Sequence, residues 1–241
     1  MKVIITENYE EMSKKASEII IDLLKKKPAC VLGLATGTTP IGLYENLIKA
    51  YRNGEVSFKD VTTANLDEYV GLTKDHNQSY AYFMRHNLFD HVDIKSENLN
   101  IPDGSKKDLD AECKRYSEFL KNHPQDLQVL GIGSNGHIGF NEPGTSFDSK
   151  THVVNLTEST IKDNSRLFDS IEEVPTQAVT MGIGEIMKSK TVLILASGKN
   201  KAKAVYNTVK AETSVETPAS VLQNHPDCIL IADKDAASML Q

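Results

Sequence analysis

The segment of residues 131–143 places a histidine and a glutamate five positions apart among four glycines. Histidine can take up and release a proton near neutral pH, and a nearby carboxylate can orient its ring and fix which nitrogen is protonated. The apolar run before it predicts a buried strand, and the glycines let the following chain turn tightly. We therefore predict that His137 and Glu142 form a proton-transfer site at the carboxyl end of that strand. A structural histidine that caps its own turn is the alternative.

The acidic pair Asp67-Glu68 is a second candidate for proton transfer, because it directly follows the run of residues 61–66. A carboxylate beside a bound sugar can remove a carbon-bound proton if it is fixed in place and partly desolvated. This chemistry makes the pair a candidate general base. Two acids at the end of a strand are also common on ordinary surfaces, where they are simply solvated.

The segment of residues 35–40 is rich in hydroxyl side chains and precedes a helical pattern that runs to about Tyr51. Thr39 suits the N-cap of such a helix, and Pro40 suits its first position. The unpaired N–H groups and the positive dipole end of a helix N-terminus favour a phosphate. The segment lacks the lysine and the spacing of a Walker loop. It is therefore a candidate phosphate site of another kind, unless it is an ordinary capped turn.

Two cations further along the chain could complete such a phosphate site. Arg166 lies in a polar segment, and Lys201 follows the apolar run of residues 192–196. If both reach the same phosphate, Arg166 can bind it through two parallel hydrogen bonds and Lys201 can add a point charge. Either side chain could instead be a solvated charge on a helix.

Continuous apolar runs alternate along the chain with helical patterns, of which the first spans Tyr9 to Lys26. This alternation predicts a doubly wound, Rossmann-like α/β fold with a mostly parallel sheet and helices on both faces. In such folds ligands bind beyond the carboxyl ends of the strands, where the segments described above would meet. The predicted strands are residues 3–5, 30–35, 61–66, 127–132, 192–196 and 228–232.

The 241 residues predict one domain, 1–241, because no Pro/Gly/Ser-rich stretch or long charge run divides them. Residues 143–176 contain few long apolar runs and many Ser, Thr and Asp residues. We expect this stretch to form a mobile lid over the site.

Charge and composition limit the possible binding partners and the cellular compartment of the protein. The net charge of -6 and the scattered lysines argue against nucleic acid, because binding its backbone needs a concentrated basic face. The apolar stretches are too short to cross a membrane, and the N-terminus lacks a signal-type apolar core. Three separated cysteines without ligand spacing predict no metal site and a reducing compartment. We therefore expect a cytoplasmic protein.

Five motifs, taken together, resemble those of the glucosamine-6-phosphate deaminase family. The match runs in order along essentially the whole chain. The strings HIGFNEP and LDEY are highly specific, whereas the Gly-Thr-rich loop is shared by related sugar-phosphate proteins. The motifs are GLATGTTP at 33–40, NLDEYVG at 65–71, GIGSNGHIGFNEP at 131–143, NSR at 164–166 and SGKNK at 197–201.

The resemblance implies conversion of D-glucosamine 6-phosphate and water into D-fructose 6-phosphate and ammonia, with no metal or organic cofactor. At the matching positions, His137 opens the pyranose ring with the help of Glu142 and Asn135. Asp67 moves the C2 proton towards C1 through an enolamine, and ammonia leaves from C2. The implied phosphate ligands are Thr36, Gly37, Thr38, Arg166 and Lys201.

Two departures from the family pattern lead to expectations. Many members have aspartate at the position of Asn135, and asparagine can hydrogen-bond the imidazole but cannot offer it a charge. Glu142 is then expected to carry the electrostatic role. The longer enteric members bind an activator at a subunit interface through two basic residues, whose positions correspond here to His152 and Val154. We therefore expect a monomer or a small homo-oligomer without that activation.

Two other functions fit the same fold. A 6-phosphogluconolactonase shares a related glycine-rich histidine turn, but it should lack the FNEP and LDEY strings present here. A sugar-phosphate effector-binding domain of a transcription regulator needs no intact pair of base and ring-opening residues. Such regulators also carry a helix-turn-helix segment, for which this chain has no room.

Overall fold

The computed structural model describes residues 1–165, 168 and 170–240. Six of its strands form one sheet in which all neighbouring strands are parallel, and these six are the apolar runs predicted from the sequence. With helices flanking this sheet, the predicted doubly wound α/β fold is confirmed. The strands are β1 (Lys2–Thr6), β2 (Val31–Leu34), β3 (Thr62–Asn65), β4 (Asp67–Tyr69), β5 (Leu127–Gly131), β6 (His152–Asn155), β7 (Gln177–Thr180), β8 (Val192–Ala196) and β9 (Cys228–Asp233).

The large sheet has the strand order β1-β9-β8-β5-β2-β3. The chain adds β3 on one side of β2, and it later adds β5, β8 and β9 on the other side. This reversal leaves a crevice at the carboxyl ends of β2 and β5, which is where doubly wound folds bind their ligands. The topology therefore locates the candidate site before any side chain is considered.

Helix α1 forms with the predicted bounds, because its apolar residues recur at helical spacing along one face. Asn8 caps it by accepting a hydrogen bond from the backbone N–H of Glu11 at 2.9 Å. None of the described helices combines the length and the apolar character needed to cross a bilayer. The helices are α1 (Tyr9–Lys26), α2 (Ile41–Arg52), α3 (Tyr80–Asn87), α4 (Leu109–Asn122), α5 (Glu158–Ser165), α6 (Ile183–Ile186) and α7 (Ala202–Lys210).

The start of α2 differs from the prediction by one residue. Pro40 occupies the N-cap position and the helix begins at Ile41, so Thr39 lies outside it. The hydroxyl of Tyr9, on α1, accepts a hydrogen bond from the backbone N–H of Gly42 at 2.8 Å. A tyrosine from the neighbouring helix thus satisfies a donor in the first turn, in place of the expected threonine cap.

A second sheet, which the sequence pattern does not predict, consists of three short antiparallel strands in the order β4-β7-β6. Each strand has only three or four residues, and β4 consists of the buried residues Asp67, Glu68 and Tyr69. Buried acids and such short lengths produce neither an apolar run nor a clear alternation. Tertiary contacts therefore decide this sheet.

The two sheets join at Leu66, between β3 and β4. Its N–H donates to the carbonyl of Leu34 on β2 at 3.2 Å, and its carbonyl accepts from the N–H of Met181 at 2.6 Å. The chain thus passes from the edge of the large sheet into the small one. Asp67 is the first residue after this junction, so both sheets determine its position.

Candidate active site

A cavity of about 270 Å³ opens at the crevice between β2 and β5. The structure brings most of the predicted site residues together here, and Asn135 and Glu142 lie next to His137, outside the lining. Arg166 lies outside the described residues. The predicted residues that line the cavity are Thr36, Gly37, Thr38, Asp67, His137 and Lys201.

The loop after β2 presents its backbone to the cavity. Gly37 has a φ of +96°, and a Cβ placed on it would meet nothing within 4 Å. The hydroxyl of Tyr44 donates to the carbonyl of Ala35 at 2.5 Å, and the hydroxyl of Tyr9 donates to the carbonyl of Thr38 at 3.2 Å. Two tyrosines therefore hold the loop from behind, while its open face can approach an anion closely.

Lys201 brings a positive charge to the same cavity. It ends a short 3-10 turn, Lys199–Lys201, that follows β8 and leads into α7. The turn is anchored by Asp233 on β9, whose carboxylate oxygens accept from the N–H of Gly198 at 3.0 and 3.1 Å. The lysine thus extends from a braced segment of the large sheet.

The ring of His137 lies against the backbone of Gly133. A Cβ on Gly133 would lie 2.4 Å from Cε1 of the imidazole and 2.5 Å from Nε2. The turn is closed by the N–H of Gly133, which donates to the carbonyl of His137 at 2.9 Å. Glycine at position 133 is therefore required for the ring to lie at the cavity wall.

Glu142 is the carboxylate next to this ring, with Oε2 3.4 Å from Nδ1 of His137. Its Oε2 also accepts from Nδ2 of Asn135 at 2.7 Å, and its Oε1 accepts from the hydroxyl of Thr160 at 3.0 Å. Burial alone would raise the pKa of Glu142, but the imidazole and these two donors lower it below its usual value. Glu142 therefore stays ionised beside the histidine.

Asn135 does not contact the imidazole as the sequence suggested it could. Its Oδ1 accepts from the backbone N–H of His137 at 3.1 Å, which directs its Nδ2 towards Glu142. Asn135 thus fixes both the turn and the carboxylate. The negative charge near the ring comes from Glu142.

Asp67 is a buried carboxylate that also lines the cavity, with 5% of its surface exposed. Burial raises its pKa from 3.8 to about 8, and the charge of Glu68 adds to this effect. A Cβ on Gly139 would lie 3.5 Å from Oδ2 of Asp67, so the glycine leaves open the space beside that oxygen. A carboxylate with such a raised pKa is a stronger proton acceptor than an exposed one.

Glu68 has a different environment, although it is equally buried. Its carboxylate accepts three backbone N–H bonds of 2.9 Å, from Tyr69, Tyr80 and Ala81. Burial raises its pKa to about 7 against the effect of these donors. Because Tyr80 and Ala81 open α3, Glu68 holds that helix and thereby the Tyr80 ring at the cavity. Glu68 therefore anchors α3, whereas Asp67 is the carboxylate that is available to accept a proton.

Strand β7 connects the loop of His137 to Asp67. Thr180 pairs with Asp67 between β7 and β4, and its Oγ1 accepts from the N–H of Phe140 at 3.1 Å. The side-chain Nδ2 of Asn141 donates to the carbonyl of Met181 at 2.9 Å. One strand end therefore fixes the distance between the two candidate proton carriers.

Sequence reasoning missed three residues of this site: Thr160, which lines the cavity and contacts Glu142, Thr180, and Tyr80. Thr180 ends a strand of only four residues, and its burial becomes visible only in the structure. Thr160 and Tyr80 are single residues whose places depend on how their helices pack, so the sequence gives no signal for them.

A larger cavity of about 770 Å³ lies on another face, where Glu68 is part of its wall. Its charged lining includes Lys74, Arg85, Asp75 and Asp103, but neither Asp67 nor His137. The smaller cavity is the candidate active site, because the proton carriers and the anion loop meet there.

The chain belongs to the family of glucosamine-6-phosphate isomerases and 6-phosphogluconolactonases, whose model matches residues 6–230. The resemblance drawn from the motifs is thereby confirmed. A relative from Thermoanaerobacter pseudethanolicus, named glucosamine-6-phosphate deaminase, is 58% identical over all of this chain and 95% of its own length. One of the same name from Clostridium novyi is 53% identical, with complete coverage of both chains.

Solved structures agree with this assignment. A monomeric glucosamine-6-phosphate deaminase superposes with a TM-score of 0.97 at 49% identity, covering 99% of this chain and 100% of that one. The 6-phosphogluconolactonase of Trypanosoma brucei superposes with a TM-score of 0.81 at 18% identity, covering 100% and 98%. The second likeness shows a shared fold.

Proposed function

We propose that the chain deaminates D-glucosamine 6-phosphate, converting it with water into D-fructose 6-phosphate and ammonia. The observation that carries the proposal is that Asp67, His137 and the loop of residues 36–38 line one cavity. The reaction needs a base for a carbon-bound proton, a proton carrier for the ring oxygen and an anchor for the phosphate. The full-length relatives of that name support the same activity.

In this proposal the phosphate binds to Thr36, Gly37 and Thr38, with Lys201 supplying charge. The open backbone of Gly37 and the braced loop suit this role. Arg166 stays a predicted ligand. A phosphate held at C6 leaves C1 and C2 of the sugar to extend towards the proton carriers, which lowers the entropy cost of reaching the transition state.

Ring opening is assigned to His137. The imidazole takes the proton of the anomeric hydroxyl and returns one to the ring oxygen O5, so that the C1–O5 bond breaks and C1 becomes an aldehyde. Between these two proton transfers the side chain of His137 is an imidazolium cation. The ionised Glu142, 3.4 Å from Nδ1, stabilises that cation.

Isomerisation and deamination are assigned to Asp67. Its carboxylate takes the C2 proton while the aldehyde oxygen takes one from solvent water, which gives an enolamine. The carboxylic acid then returns its proton to C1 and leaves an iminium at C2. Water adds to this carbon, and ammonia departs as the ketone forms. The raised pKa of Asp67, about 8, suits a group that must both take and return a proton.

Purified chain dialysed against a chelator should release equal amounts of ammonia and fructose 6-phosphate from glucosamine 6-phosphate. Coupled enzyme assays measure both products, and 6-phosphogluconolactone serves as the second substrate in parallel. Hydrolysis of the lactone without ammonia release from the amino sugar would contradict the proposal in favour of a lactonase.

Glu68→Gln should shift the acidic limb of the kcat/KM profile to lower pH. The substitution removes a negative charge that raises the pKa of Asp67, so the base becomes ionised at lower pH. Initial rates across the neutral range measure the shift.

The matched control for Glu68→Gln is Ser79→Ala. Ser79 caps α3 by accepting from the N–H of Tyr82 at 3.0 Å, so its loss loosens the same helix without changing charge. An equal pH shift in both variants would show that helix anchoring, and not the charge of Glu68, sets the profile.

The same proposal extends to the assembly, the location and the lid. We propose a monomer or a small homo-oligomer, since the similar solved deaminase is monomeric, and light scattering of the purified chain measures this.

A cytoplasmic location suits the free, buried Cys30, Cys113 and Cys228. The predicted lid, residues 143–176, lies partly outside the described residues and contains the paired strand β6. We propose that its other described residues move, which fast hydrogen exchange that slows with substrate would support.

A further inference from the structure

Thr160 on α5 forms a hydrogen bond to one of the candidate catalytic carboxylates. Its hydroxyl lies 3.0 Å from Oε1 of Glu142, and the residue also lines the cavity. An ionised carboxylate can only accept, so the proton of this bond belongs to Thr160. The contact joins a helix within the proposed lid to the group beside His137.

We propose that Thr160 is a positioning residue for ring opening, which holds Glu142 against His137 when α5 covers the cavity. The proposal rests on the function proposed above. Thr160 itself performs no proton transfer in it; it acts through Glu142.

The arrangement around Glu142 supports this role. Asn135 holds Oε2, which faces the imidazole, and Thr160 holds Oε1. The two donors bind different oxygens of the carboxylate, so they fix its rotation as well as its place. Without Thr160 the carboxylate can turn about its last bond, and its contact with Nδ1 of His137 is no longer fixed.

A second hydroxyl extends the contact back to the start of α5. The hydroxyl oxygen of Thr157 lies 2.9 Å from Oγ1 of Thr160. The same Thr157 oxygen accepts a hydrogen bond from the backbone N–H of Thr160 at 3.3 Å. Since the single proton of the Thr160 hydroxyl goes to Glu142, the hydroxyl of Thr157 is the donor to Thr160. Such a chain polarises each bond and strengthens the last one.

The packing of α5 explains why the helix can present Thr160 at this place. The next residue, Ile161, packs against a small apolar cluster that includes Tyr69, Phe140 and Leu156. Phe140 is two residues before Glu142 in the same loop. Apolar contact and the hydroxyl bond therefore join α5 to one loop, and docking of the helix delivers the donor to the carboxylate.

The test compares Thr160→Val, which keeps the shape and removes the hydroxyl, with Thr160→Ser, which keeps the hydroxyl. We expect Thr160→Val to lower kcat for ammonia release at least about tenfold, the size of a lost hydrogen bond to a charged group. Thr160→Ser should stay within about threefold of wild type. In the Glu142→Gln background, adding Thr160→Val should change kcat little, because the two residues act as a unit.

A readout that needs no turnover separates this proposal from the proposed function. Carbon-13 NMR titration of the Glu142 carboxyl should show a higher pKa in Thr160→Val than in wild type, because a donor that lowers it is gone. Additive effects in the double variant, an unchanged titration, or a serine variant as slow as the valine variant would overturn the positioning role. Absence of ammonia release by the wild type, with the titration shifted as expected, would overturn only the deaminase.

Discussion

Asp67→Asn should lower kcat for ammonia release by about 10³-fold while leaving the affinity for glucosamine 6-phosphate within about threefold of wild type. The amide cannot take the C2 proton, but it occupies the same space. The proposed phosphate anchor belongs to other loops, namely those that follow β2 and β8. Steady-state assays give kcat, and calorimetric titration gives the affinity of the inactive variant.

The same substitution should make the protein more stable at neutral and alkaline pH. The native pKa of Asp67, about 8, lies above its ordinary value of 3.8, so the folded chain retains a proton that the unfolded chain releases between these values. The free energy of unfolding of the wild type therefore falls as pH rises from about 4 to about 8. The Asp67→Asn variant has no carboxyl group at this position, so its stability does not fall for this reason. Each kcal/mol gained raises Tm by roughly 2–4 °C in a chain of this size.

Asp22→Asn is the matched control, because Asp22 is an exposed aspartate on α1. It should change neither kcat nor the pH dependence of Tm. Turnover by Asp67→Asn within tenfold of wild type would remove Asp67 from its assigned role. A Tm difference that is constant with pH would contradict the raised pKa of Asp67 in the folded chain.

Glu142→Gln should lower kcat by about 10²-fold and make ring opening the slow step. The amide offers no charge to the imidazolium, and it places a donor where Asn135 already donates. Substrate deuterated at C2 identifies the slow step. Its isotope effect on kcat should shrink towards one in the variant, because cleavage of the C2 bond no longer limits the rate.

Glu212→Gln, at an exposed position, controls for the loss of one negative charge. It should keep the wild-type rate and isotope effect. A slow Glu142→Gln enzyme with a full isotope effect would show that Glu142 assists proton transfer from carbon, and the ring-opening assignment would be wrong.

The large sheet could be predicted from the sequence because most of its strands are apolar runs between polar segments. In β8, for example, all of Val192–Ala196 is buried. The small sheet could not, since its strand β4 consists of buried polar residues whose partners lie more than a hundred positions away on β7. Its pairing depends on long-range contacts that a local pattern does not contain.

The candidate site shows the same division. The rule that ligands bind at the carboxyl ends of strands predicted that residues 36–38, Asp67 and His137 would converge, and they share one cavity. The contact of Thr160 with Glu142 depends on how α5 packs, eighteen residues further along the chain. A single threonine in a polar segment carries no periodicity from which that packing could be predicted.

The junction at Leu66 separates the proposed phosphate anchor from the proposed carbon base. The groups proposed to hold the phosphate extend from the large sheet, whereas Asp67 and the tie to Thr180 belong to the small one. Directed evolution towards another reaction of phosphorylated sugars should therefore collect its beneficial substitutions in residues 67–69, 138–141 and 177–181. The anchoring loops would be inherited unchanged, and each new catalyst would begin with a substrate already in place.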